Sequence, residues 1–135
     1  MISIEEVGTM LDAIADELPQ AFYKDLSGGI LLLPEAKLHP EHQAHDLYIL
    51  GEYHYDQMGR YIIIYYGSFA RLFKGLSLEN LREKLKDTLL HEFTHHIESL
   101  AGKRELEVKD AQEMARYRYG QRQGPYRFKS RGNKN

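Results

Sequence analysis

Apolar residues at Leu78, Leu81, Leu85, Leu89, Phe93, Ile97 and Leu100 keep helical spacing for more than six turns. That spacing predicts one long helix with a single buried stripe, started by Ser77 as a cap and stopped at Gly102. A helix of this kind cannot stand alone, so the rest of the chain must supply a surface for it to cover.

Two other kinds of element are available. Ser3 and Glu6 form a capping-box pattern, and Ile4, Val7, Leu11, Ile14 and Leu18 predict a helix from Ile4 to Leu18, ended by Pro19. "GILLLPE" reads as a short buried strand ending at Pro34. "DLYILGEYHYDQMGRYIIIYYGSF" reads as a hairpin turning at Gln57–Arg60, closed by Gly67 and Ser68, with "FARLF" as a helical turn after it. Beyond Gly102, "LEVKDAQEMARYRY" suggests a final helix, capped by Asp110. The expected architecture is α+β: a small, mostly antiparallel sheet packed on the long helix, flanked by N- and C-terminal helices.

At 135 residues, 42% of them hydrophobic, the chain suits one core domain, placed at 1–118. The longest apolar runs, "ILLL" and "YIIIYY", fall far short of the ~20 residues of a membrane span. The acidic, amphipathic start lacks a secretory pattern, and the absence of cysteine excludes disulfides; both point to the cytoplasm. Of the eighteen basic residues, seven lie at or after Arg116 with no acid among them, leaving eleven against all twenty acidic residues in the first 115. The segment 119–135 therefore reads as a basic tail. Its shortness and glycine content favour a solvated, unstructured end over a nucleic-acid contact.

The chemistry sits on the long helix. "HEFTH", residues 91–95, has two histidines four apart, about 6 Å along one face, so both imidazoles can meet one ion. Glu92 can take a proton from a water that zinc acidifies to a pKa of about 7. On a helical wheel His91, His95 and Glu92 fall together, opposite the apolar stripe, whereas His96 falls within it and reads as a packed residue. The histidines of "HPEHQAH" (His39, His42, His45) read as surface residues of a loop, since Pro40 discourages, without forbidding, the helix that would give them metal-like spacing. A catalytic zinc wants a third protein ligand. Glu98 shares the face but sits ~10 Å along the axis from His91, and Ala101 has no donor. The third ligand is thus expected after Gly102, from Glu105, Glu107, Asp110 or Glu113.

Through "LKDTLLHEFTHHIESLAG", "GGILLLPE" and the hairpin segment, the chain resembles the bacterial zincin-like metallopeptidases, small single-domain proteins long grouped as a domain of unknown function. The resemblance covers most of residues 1–118. It implies a minimal zincin fold and Zn2+ held by His91, His95 and Asp110. Glu92 would be the general base and a peptide or protein the substrate. The alternative expectation is a non-catalytic module in which the same zinc only braces the fold.

Overall fold

The computed structural model describes residues 1–41 and 47–118, with the backbone alone for 115–118. Helix α1 spans Ile4–Glu17. Its capping box is formed on both sides: Ser3 Oγ accepts from the Glu6 amide at 3.2 Å, and Glu6 Oε1 accepts from the Ser3 amide at 3.1 Å. The helix stops one residue before the expected Leu18, which is extended because a residue preceding proline avoids the α region. A 3-10 turn, Gln20–Tyr23, leads to strand β1, Gly29–Leu33. Strands β2 (Lys37–Leu38) and β3 (Tyr48–Ile49) form a small ribbon of their own.

The main sheet contains β1, β4 (Gly51–Asp56) and β5 (Gly59–Tyr65) in the order β1-β5-β4. The β4–β5 hairpin is antiparallel as expected, but β1 pairs with β5 in parallel, so the sheet is mixed rather than mostly antiparallel. The reason is topological: β1 and β5 are far apart in sequence and are joined by a crossover rather than a turn. At the hairpin tip the Met58 amide donates to Asp56 Oδ1 at 2.8 Å, and Gly59 supplies the positive φ of +94°. Helix α2, Tyr66–Leu72, starts directly at the end of β5.

Ser77 caps α3 as expected, its Oγ accepting from the Asn80 amide at 3.2 Å. Helix α3 runs without a break from Leu78 to Arg118. Gly102 does not stop it, and Asp110 lies in its body rather than at an N-cap. Contacts divide the chain into two units, Met1–His96 and Ile97–Lys134. The first has a core of Val7, Leu11 and Ile14 from α1, Tyr53, Ile62 and Ile64 from the sheet, Phe69 from α2, and Leu81, Leu85, Leu89 and Phe93 from α3. Burying each of these leucines contributes about 1.5–3 kcal/mol. In the second unit, none of the residues Ile97–Met114 is buried; Ile97 itself, expected in the stripe, is 45% exposed. Among the described residues no helix is long and apolar enough to cross a membrane. The tail 119–135 and the loop histidines His42 and His45 lie outside the described residues.

Candidate metal centre

Leu85, Leu89 and Phe93 bury one face of α3, and the same twist of the helix turns His91 outward. His95, one turn on, is half-buried. Their Nε2 atoms approach to 3.3 Å with the rings nearly perpendicular, at 88°. Two nitrogens bound to tetrahedral zinc at 2.0–2.1 Å lie about 3.3–3.4 Å apart, the edge of the tetrahedron. The pair therefore already has the spacing of two ligands of one ion.

Glu92 departs from the wheel. It is buried, 5% exposed, and faces the sheet rather than standing beside His91 on the surface. The cause is Gly51 on β4, whose missing side chain leaves room: a Cβ built there would lie 3.3 Å from Glu92 Cγ. Burial first, and then the negative charge of Glu52, push the Glu92 carboxyl up to about 7. Burial also works against the Glu52 carboxylate, but hydrogen bonds from Lys37, Tyr65 and His54 outweigh it and hold Glu52 below its ordinary range. Lys37 Nζ donates to Oε2 at 2.6 Å, while Tyr65 Oη and His54 Nε2 donate to Oε1 at 2.6 and 3.0 Å. Glu52 is thus a fixed charge beside an adjustable one.

His96 is packed as expected, with no exposed surface. Its Nε2 lies 2.7 Å from the carbonyl of Lys24 and its Nδ1 lies 2.8 Å from Tyr53 Oη. Burial pushes its pKa down, which keeps the ring neutral. His39 also binds locally, its Nδ1 accepting from the Glu41 amide at 3.0 Å.

The candidates for a third ligand all lie beyond Gly102. Asp110 lies in the body of α3 rather than at a helix N-cap. Glu105, Glu107 and Glu113 ride on the same helix. Among the described residues no group of three His, Asp or Glu side chains is gathered to hold a metal. The parts played by Gly51, Glu52 and Tyr53 had no signal in the sequence: one glycine among eleven and one tyrosine among ten look alike until the strand is placed on the helix.

Fold and site together define an α+β chain in which an HExxH helix lies beside the edge strand β4. A conserved hypothetical protein from T. thermophilus is similar in structure, with a TM-score of 0.64 and 31% sequence identity over 75% of this chain and 99% of that one. The chain belongs to the same family as that protein. No family model matches the sequence, and no curated protein matches it.

Proposed function

We propose that the chain is a zinc-dependent metallopeptidase of the zincin-like kind. The observation that carries this reading is the 3.3 Å approach of His91 Nε2 and His95 Nε2 with a buried carboxyl, Glu92, next to them in the chain. Zinc, when bound, supplies Lewis acidity and lowers the pKa of water to about 7. Glu92 is the group that would take that proton and hand it to the leaving amine nitrogen. The low-dielectric pocket that raises Glu92 also strengthens its pull on the proton.

The substrate class follows from the sheet. β5 is the central strand, so it has no free edge, while its hairpin partner β4 is an edge strand. An extended peptide pairing with β4 would pass beside Gly51 and Glu92, the mode by which exposed strands capture peptides. The third ligand of the proposed set is Asp110. The lack of cysteine fits work in the cytoplasm.

The test is zinc content by elemental analysis of the wild type and His91→Ala, followed by cleavage of a peptide library by the wild type and Glu92→Gln. One zinc per chain, lost in His91→Ala, with cleavage lost but zinc retained in Glu92→Gln, supports the reading. Equal zinc in both proteins removes the metal site. Zinc without cleavage by the wild type leaves a metal module rather than an enzyme.

A further inference from the structure

Within Met1–His96 a chain of hydrogen bonds runs in one direction through the core. The Lys24 carbonyl can only accept, so His96 Nε2 carries the hydrogen across their 2.7 Å contact. The neutral ring then offers Nδ1 as an acceptor, and Tyr53 Oη–H donates to it at 2.8 Å. Arg60 Nη1 in turn donates to Tyr53 Oη at 3.2 Å. Arg60, Tyr53 and His96 are 4%, 1% and 0% exposed. Among the described residues no buried side-chain nitrogen or oxygen lacks a partner. Lys24 follows the 3-10 turn Gln20–Tyr23, whose Phe22 and Tyr23 rings lie 5.6 and 5.0 Å from Phe93 on α3.

This chain of bonds joins α3 to β4 at a particular register. Gly51 and Tyr53 are two apart on one face of β4, separated by about 6.7 Å. Glu92 and His96 are four apart on one face of α3, separated by about 6 Å. The two spacings match, so Gly51 meets Glu92 while Tyr53 meets His96. Apolar packing alone tolerates sliding of a helix on a sheet, whereas a buried directional hydrogen bond leaves its partners unsatisfied after any slip.

We propose that His96 is a positioning residue: through Tyr53 it registers the helix bearing His91, Glu92 and His95 against the edge strand β4. The consequence for peptide cleavage rests on the metallopeptidase reading; the registration does not. A slip of one residue on β4 carries Gly51 away from Glu92 and moves the strand edge relative to the histidine pair.

The experiment uses the 15N-labelled full chain, metal-free at neutral pH, as wild type and as Tyr53→Phe, which removes one hydroxyl and keeps the ring. Long-range imidazole spectra of the wild type should show His96 as the single Nε2–H tautomer; the Nδ1–H form overturns the hydrogen-bond chain. In Tyr53→Phe, amide exchange should quicken by about tenfold or more in Gly51–Tyr55 and Leu89–His96 while Val7–Ile14 in α1 holds steady. Unchanged exchange, or equal quickening in α1, overturns the registering role. With zinc added, Tyr53→Phe should keep the wild-type metal stoichiometry and lose about tenfold in kcat/KM; wild-type kcat/KM overturns the positioning role. If the wild type cleaves nothing, the peptidase reading falls, and the exchange result still decides the registration.

Discussion

Glu92 lies against the bare Cα of Gly51, and the strand and helix meet there closely. A Cβ at position 51 would stand 3.0 Å from Thr88 Cγ2, 3.2 Å from the Ile63 carbonyl oxygen and 3.3 Å from Glu92 Cγ. Gly51→Ala is therefore expected to destabilise the fold by about 1–3 kcal/mol through overpacking, read from urea unfolding. It should also dislodge Glu92 and lower peptide cleavage more than zinc binding. A variant as stable as the wild type would show that α3 and β4 are further apart than this.

The raised pKa of Glu92 sets a direction for stability against pH. The folded carboxyl titrates at about 7 and the ordinary value is 4.5, so between these pH values the folded state holds a proton that the unfolded state has lost. Stability therefore falls as pH rises from 4.5 to 7, and the full penalty persists above 7. With 1.36 kcal/mol per pKa unit and some residual solvent, the loss is on the order of 2–3 kcal/mol. Metal-free Glu92→Gln should lose that part of the slope and be more stable than the wild type at about pH 8, measured by urea midpoints across the range. Parallel pH profiles for the two proteins would argue against a buried, charge-coupled Glu92.

Zinc should stabilise the protein by mass action. At a hundred times its dissociation constant the gain is about 2.7 kcal/mol, which raises the Tm of a domain of this size by roughly 8–12 °C. A chelator should reverse the gain. His91→Ala should show none of it, and Glu92→Gln should keep all of it. A thermal scan with and without zinc checks all three.

Gly102 separates the expected helix break from the continuous α3. It lies within the helix, and a Cβ built on it meets nothing within 4 Å. Alanine there should stabilise the helix by about 0.5–1 kcal/mol, because glycine loses more backbone freedom on folding. If Gly102 instead ends the helix with a positive φ, alanine is destabilising. Circular dichroism with urea unfolding of Gly102→Ala tells the two apart.

Much of the fold is legible one element at a time. The Ser3–Glu6 box, the Ser77 cap, the β4–β5 hairpin and the stripe Leu81, Leu85, Leu89, Phe93 all rest on interactions within a few residues or on one periodicity. The end of α3 is not legible, because a glycine inside a helix and a glycine that stops one differ only in the residues on their C-terminal side. After Gly102 those residues, "KRELEVKDAQEMA", are good helix formers and carry the helix on. The site divides in the same way. His91 and His95 are paired by the helical repeat itself, so spacing alone predicts their shared face.

The sequence by itself determined the two imidazoles, the acid between them and the long helix that spaces them, because helical geometry is local. Only the tertiary structure decided that Glu92 turns inward, that Gly51 makes room for it, that burial and then Glu52 raise its pKa and that Tyr53 fixes His96. Those relations join residues some forty positions apart. They exist only once β4 is laid on α3, where burial removes water and lets one missing side chain and one hydroxyl govern the position and charge of the candidate base.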